Sequence, residues 1–167
     1  MRSTASVGAV AFLVVFVFAG AGVAALVTSP PSAMFKSGYN KCKLSTLAAL
    51  SKTAGKKLVK AKFDGKTCTW SSSDGNATIL VDTHPAGYLE FLGPALGKHA
   101  NGDVATAITV PGASKAVLET FSHANTGRYA KDILAVYPQG VVQVSVNYST
   151  VLSARTVIAV TRLLTHT

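Results

Sequence analysis

The chain has 167 residues, of which 49% are hydrophobic and 14% are charged, and its formal net charge is +9. This length fits one domain of ordinary size behind a leader segment, and it argues against a two-domain enzyme. The apolar content excludes an intrinsically disordered chain. The charges are unevenly placed, because Arg2 is the only charged side chain among the first 35 residues.

Val7 to Val27 are 21 consecutive apolar or glycine residues, enough for a helix to cross about 30 Å of hydrocarbon. The stretch predicts either a single-pass membrane anchor or a cleaved signal peptide, since small residues at 19–21 and 23–25 offer cleavage sites. We expect the amino terminus inside the cell and the remaining chain outside the cytoplasm. Three lysines just beyond the stretch oppose that orientation under the positive-inside rule: Lys36, Lys41 and Lys43.

The sequence after the leader predicts a spacer and then one domain. Ser29-Pro30-Pro31-Ser32 and Gly38 would interrupt any helix. The expected organisation is a leader over residues 1–27, a spacer over 28–40 and an extracytoplasmic domain over 41–167.

Cys42 and Cys68 are the only cysteines of the chain. An even number of cysteines in an exported chain predicts a disulfide, worth about 3 to 4 kcal/mol for a loop of this length. Two unpaired buried thiols are the alternative, and they become the leading interpretation if the domain is cytoplasmic. The histidines show no metal-ligand spacing with either cysteine, so neither a metal nor another cofactor is expected.

The segment after Cys42 predicts a short helix between Ser45 and Gly55, followed by two hairpins. The hairpin turns are Asp64-Gly65 and Asp74-Gly75. The first turn would pair Ala61 with Cys68 and Val59 with Trp70, and the second Trp70 with Ile79 and Cys68 with Val81. These registers place one set of side chains on a single buried face: Val59, Ala61, Cys68, Trp70, Ile79 and Val81.

The second half of the chain predicts further strands over residues 104–110 and 116–121, after an irregular segment at 84–102. Residues 133–137 and 141–148 flank a three-residue loop that ends at Gly140, which would pair Leu134 with Val144 and Val136 with Val142. Apolar residues recur at helical spacing over 150–166, although their β-branched content leaves a final strand as the alternative. The predicted fold is α+β, a twisted antiparallel sheet of two hairpin halves covered by a short amino-terminal helix and a carboxyl-terminal helix.

Residues 42–165 resemble a family of actinobacterial exported lipoproteins whose domain has no assigned function. The likeness rests on Cys42, on Cys68-Thr69-Trp70, on the P-G-x-x-K-A element at 111–116 and on the valine-rich hairpin with its closing helix. Members typically carry a lipid-bearing cysteine just after the leader, whereas no cysteine precedes Cys42 here, so lipid attachment is not implied. The resemblance implies an α+β domain at the cell envelope and implies no biochemical activity.

Eight lysines and no acid lie between residues 36 and 62: Lys36, Lys41, Lys43, Lys52, Lys56, Lys57, Lys60 and Lys62. Such a set predicts attraction to anionic lipid headgroups or wall polymers, at about 1 kcal/mol per charge close to an anionic surface. The alternative is that the lysines keep a helix face solvated and protect a sheet edge from aggregation. Nucleic acid is not expected as a partner, because arginine is scarce and no aromatic platform interleaves with the lysines.

The sequence carries no recognisable catalytic motif. It lacks the G-x-S-x-G nucleophile elbow, and the pairs Asp82/His84 and Glu119/His123 are expected to be surface or packing features. No catalytic residue is therefore predicted. The expected function is extracytoplasmic binding of an envelope partner or a small ligand, and an envelope hydrolase or transferase is the alternative.

Overall fold

A computed structural model describes residues 32–88, 97–98, 102–121 and 129–166. The hydrophobic leader, expected to be an anchor or a signal peptide, lies outside these residues. Within the described part of the chain, no helix has the length and apolar character needed to cross a membrane.

One open sheet of eight antiparallel strands is formed by the described residues. The strands are β1 (Leu58–Phe63), β2 (Cys68–Ser72), β3 (Ala77–His84), β4 (Gly97–Lys98), β5 (Val104–Ile108), β6 (Lys115–Phe121), β7 (Tyr129–Tyr137) and β8 (Gly140–Tyr148). Their order across the sheet is β1-β2-β3-β8-β7-β6-β5-β4. The first three strands and the last five therefore form two halves that join along β3 and β8.

Two α-helices, α1 (Leu47–Ala54) and α2 (Ala154–Thr165), pack on one face of the sheet, which we call the inner face. Thr46, one residue later than the expected Ser45, caps α1. Gly55 ends α1 with a φ of 64°, a left-handed conformation that glycine adopts without strain. An antiparallel sheet covered by two helices confirms the predicted α+β class.

The main hydrophobic core lies between the two helices and the inner face. Its largest fully buried members from these elements are Trp70, Ile79, Val81, Ile133, Tyr137, Leu50 and Leu164. The 3-10 turn Ser32–Phe35 also contributes, because Met34 has no exposed surface although it lies within the expected spacer. The packed domain thus includes residues that precede Lys41.

The registers of the first two hairpins agree with the prediction to different degrees. In β2–β3, Trp70 lies opposite Ile79 and Cys68 opposite Val81, as predicted. In β1–β2 the register is shifted by two residues, since Ala61 pairs with Trp70 instead of Cys68. A shift of two keeps every side chain on its predicted face.

Val59 is nevertheless not part of the buried face. Strand β1 has a bulge between Leu58 and Lys60, so Leu58 occupies the buried position and Val59 is 45% exposed. Ala61 is exposed as well. The predicted face is thus correct for β2 and β3 and wrong for β1, where a β-bulge changes the alternation of side chains.

The hairpin of β7 and β8 turns over two residues, Pro138-Gln139, and Tyr137 pairs with Gly140. The predicted three-residue loop is therefore wrong by one residue. Consequently Ile133, and not Leu134, lies opposite Val144. The second predicted pair is also wrong, because Val136 lies opposite Val141 and not Val142. A one-residue shift exchanges the two faces of a strand, so Leu134 and Val136 lie on the outer face.

Candidate functional site

Five lysines follow one another in the chain from the last turn of α1, through the segment that joins α1 to β1, and along β1 itself. We call them the basic edge: Lys52, Lys56, Lys57, Lys60 and Lys62. Lys56 is half-buried and the other four are exposed. No acidic residue interrupts the segment from 52 to 62. The basic edge therefore contributes only positive charges, from the end of α1 to the end of β1.

The local structure holds these lysines outward. The Ser51 hydroxyl accepts a hydrogen bond from the amide of Leu58 over 3.0 Å, which fixes the start of β1 beside the end of α1. The bulge after Leu58 then places Lys60 and Lys62 on the outer face of the sheet. Because β1 is the terminal strand of the described sheet, only β2 pairs with it.

A shallow cavity of about 230 Å³ lies on the outer face between β1 and β2. We call it the turn cavity, and it is lined by Lys60, Lys62, Asp64, Thr69 and Ser71. Lys62 lies directly opposite Thr69, and Lys60 opposite Ser71, so an ammonium group and a hydroxyl group face each other at two successive levels. Such directly opposed residues have Cβ atoms about 5 Å apart.

The Asp64 carboxylate at the rim of the turn cavity belongs to the hairpin turn. Its Oδ1 atom accepts hydrogen bonds from the amides of Thr67 over 2.7 Å and Lys66 over 3.0 Å. These bonds hold the pKa of Asp64 below its usual value. The carboxylate thus stays ionised, and it leaves the turn cavity with one net positive charge from its two lysines.

A second cavity of about 130 Å³ lies at the opposite end of the same two strands, and we call it the loop cavity. Its lining residues are Lys56, Lys57, Ser72, Ser73, Asp74, Asn76 and Ala77. The Lys56 ammonium lies 5.4 Å from the centre of the Tyr148 ring, a cation–π distance. Like the turn cavity, the loop cavity combines two lysines, two hydroxyl groups and one aspartate.

Asp74 is also occupied within its own turn. Its carboxylate accepts hydrogen bonds from the Ser72 hydroxyl and from both the amide and the side chain of Asn76. The bond from Ser72 contributes most to lowering the pKa of Asp74 to about 2. Both aspartates beside the basic edge are therefore ionised turn residues whose oxygens already accept protein hydrogen bonds.

The other three predicted lysines do not join the basic edge. Lys36 and Lys43 are both exposed. Lys36 directly follows the 3-10 turn Ser32–Phe35, and Lys43 lies within the 3-10 turn Lys41–Leu44. Lys41 is only 3% exposed, and its ammonium donates to the carbonyl oxygen of Lys66. Burial lowers the pKa of Lys41, and the packing removes this side chain from any surface for polyanions.

The predicted disulfide between Cys42 and Cys68 is present, with Cα atoms 5.2 Å apart. Cys68 is fully buried in β2 and Cys42 is half-buried in the 3-10 turn Lys41–Leu44. The bond therefore ties the chain that precedes α1 to the second strand. Leu44, also buried, packs in the same core.

A row of buried or half-buried polar side chains crosses the outer face on β3, β8 and β7: Asp82, His84, Gln143, Ser145 and Asp132. His84 Nε2 donates to Gln143 Oε1 over 2.8 Å, because an amide oxygen can only accept. Gln143 Nε2 in turn donates to Asp132 Oδ2 over 2.8 Å. Burial raises the pKa of Asp132, while hydrogen bonds from Gln143 and Ser145 oppose that rise.

The two ends of this row are also engaged. Asp82 forms an ion pair with Lys66, with 3.0 Å between Asp82 Oδ2 and Lys66 Nζ, and this contact raises the pKa of Lys66. The Tyr88 ring stacks on the His84 ring with centroids 3.7 Å apart. Asp82 and His84 are thus members of a packed network whose hydrogen bonds are made within the protein.

Two further expectations from the sequence concern metal binding and the pair Glu119/His123. Among the described residues, no three histidine, cysteine or acidic side chains are grouped so that they could hold a metal ion. His123, predicted to form a local pair with Glu119, lies outside the described residues.

The hydroxyl residues of the turn cavity, Thr69 and Ser71, were not predicted as site residues. The alternation around Cys68 and Trp70 places Thr69 and Ser71 on the opposite face, so the face that these two hydroxyl residues occupy could have been predicted from the sequence. Their place beside Lys60 and Lys62 depends on the β1 bulge and on the length of the turn.

Comparison of the chain with protein-family models, with curated proteins and with solved structures found no match.

Proposed function

We propose that this chain is an extracytoplasmic binding domain of the cell envelope and that it binds a polyanion along the basic edge. The observation that carries the proposal is the run of Lys52, Lys56, Lys57, Lys60 and Lys62 from the last turn of α1 into the terminal strand β1. Hydroxyl-lined cavities beside these lysines offer further hydrogen-bond donors to an anion.

The envelope location is supported by two features of the chain. The apolar leader at residues 7–27 suits a single-pass anchor with its amino terminus inside, or a signal peptide whose cleavage releases the domain. The disulfide between Cys42 and Cys68 suits an oxidising compartment. Membership of the actinobacterial lipoprotein family is part of the same proposal, supported by these cysteines and by Trp70.

The strength of such binding follows from simple electrostatics. A lysine close to an anionic surface is worth about 1 kcal/mol, so five lysines acting together suffice for binding at low ionic strength. Exposed charges are screened beyond about 10 Å at 0.1 M salt. Binding through the basic edge is therefore expected to be strong at low salt and to weaken steeply as salt is added.

The test is retention of the full chain, kept soluble by a nonionic detergent, on dextran sulfate beads and on neutral dextran beads. We expect retention on dextran sulfate at roughly 50 mM salt and release by roughly 300 mM. The triple variant Lys57→Gln/Lys60→Gln/Lys62→Gln is expected to elute at much lower salt than the unmodified chain.

A charge-matched control separates the basic edge from net charge. The variant Lys36→Gln/Lys115→Gln/Arg155→Gln removes three exposed charges that lie elsewhere. We expect it to elute close to the unmodified chain. Equal effects of the two triple variants would reduce the binding to net charge, and failure of the unmodified chain to be retained at any salt would refute the proposal.

A further inference from the structure

We infer that the polyanion is a linear phosphodiester polymer without bases, and that the turn cavity and the loop cavity each hold one of its phosphate groups. This inference rests on the proposed function and names the ligand of the same edge. It follows from the composition of the two cavities, from their separation and from the kinds of side chain among their lining residues.

Each cavity offers a phosphate group ammonium and hydroxyl donors, and in the loop cavity the hydroxyl is that of Ser73, because the Ser72 hydroxyl donates to Asp74. In the turn cavity, Lys60 and Lys62 supply ammonium groups from β1 while Thr69 and Ser71 supply hydroxyl groups from β2. A tetrahedral phosphodiester has two charged oxygens that point apart, so one accepts from an ammonium group while the other accepts from a hydroxyl. Charged hydrogen bonds of this kind are about twice as strong as neutral ones.

The spacing of the cavities favours a polymer over a single small anion. Both cavities border β1, and their lysines, at 56–57 and 60–62, are four to five residues apart. Lys60 and Lys62 belong to β1, whereas Lys56 and Lys57 precede it and the bulge after Leu58 lies between the two pairs, so the cavities are separate sites at opposite ends of the strand. One flexible chain with regularly spaced charges can occupy both cavities, and the second contact then benefits from a high effective concentration.

The side chains that line the cavities also narrow the class of polymer. Among the described lining residues there is no aromatic ring on which a nucleobase could stack. Every cation of the basic edge is a lysine, which binds phosphate groups as a compact point charge. A phosphodiester polymer with a small polyol backbone fits both features.

The experiment measures binding of the full chain in nonionic detergent to four probes carrying about equal numbers of charges. The probes are poly(glycerol phosphate), polyglutamate, single-stranded DNA and mixed micelles containing phosphatidylglycerol. We expect poly(glycerol phosphate) to bind at least about tenfold more tightly than the other three. Equal affinity for DNA, for the micelles or for polyglutamate would overturn the inference.

A variant without any change in charge tests the hydroxyl groups directly. Thr69→Val/Ser71→Ala is expected to weaken binding of poly(glycerol phosphate) about tenfold and to leave binding of polyglutamate within about twofold. The control Thr106→Val/Thr109→Val alters two exposed threonines on and next to β5 and should change neither affinity. Thermal melting of each variant verifies that it is folded.

The two levels of the proposal fail in different ways. Failure of the unmodified chain to bind any of the polyanions refutes the proposed function. Binding of every polyanion with equal affinity, unaffected by Thr69→Val/Ser71→Ala, refutes only the phosphodiester inference and leaves the basic edge as a general polyanion surface.

Discussion

Hairpin β7–β8 lies in the middle of the sheet, and hairpin β1–β2 forms one of its borders. In the central hairpin, Ile133, Leu134 and Val144 are buried although they do not all face the same side. In β1, only Leu58 is buried, and lysines occupy the outer positions. The centre of the sheet is thus buried on both faces, while β1 at its border is mostly exposed and carries lysines of the candidate site.

The largest expected effect sharpens this contrast in stability. Ile133→Ala removes a side chain with no exposed surface and should lower the free energy of unfolding by about 3 kcal/mol. Val59→Ala, at the exposed bulge of β1, should change it by less than about 0.5 kcal/mol. Urea unfolding followed by circular dichroism measures both, and equal effects would remove the distinction between centre and border.

The disulfide provides the second test, because it supports the border more directly than the centre. Cys42→Ala/Cys68→Ala should lower the free energy of unfolding by about 3 kcal/mol. We also expect amide protons of β1 and β2 to exchange faster relative to those of β7 and β8, since Cys68 begins β2. A uniform increase in exchange across the sheet would show that the bond stabilises the whole domain equally.

The same contrast explains how much of the fold the sequence could predict. The β2–β3 register follows from Asp74-Gly75, because in β2 the apolar Cys68 and Trp70 alternate with the polar Thr69 and Ser71 on the other face. In β7 and β8 both faces are buried, so Leu134 is as apolar as Ile133 and alternation cannot distinguish a two-residue turn from a three-residue loop.

The candidate site was predictable in its charges and not in its geometry. The lysines of the basic edge follow from composition alone, but the burial of Lys41 depends on its contact with the carbonyl oxygen of Lys66, 25 residues away. The place of Thr69 beside Lys62 depends on the two extra residues in the Asp64 turn. Such contacts arise from turn hydrogen bonds and bulges, which side-chain periodicity does not encode.

The smallest expected effect compares two carboxylates, Asp132 in the central strand β7 and Asp74 in the turn after β2. Burial raises the pKa of Asp132, so the folded protein keeps this proton at a higher pH than the unfolded chain. The free energy of unfolding therefore falls as pH rises between the unfolded and the folded pKa of Asp132. For Asp74, whose pKa is lowered to about 2, the sign is reversed, and its stabilisation is lost as pH falls from the unfolded value toward 2.

Asparagine at each position removes the titration and keeps an acceptor for the existing donors. Asp132→Asn should raise the free energy of unfolding relative to the unmodified chain above the folded pKa of Asp132. Asp74→Asn should lower it at pH values above about 4, because the ionised carboxylate is the better acceptor. Unfolding by urea at a series of pH values checks both variants. If the two variants changed the free energy of unfolding in the same direction at neutral pH, the expected difference between a buried carboxylate in the centre and a solvated one at the border would be wrong.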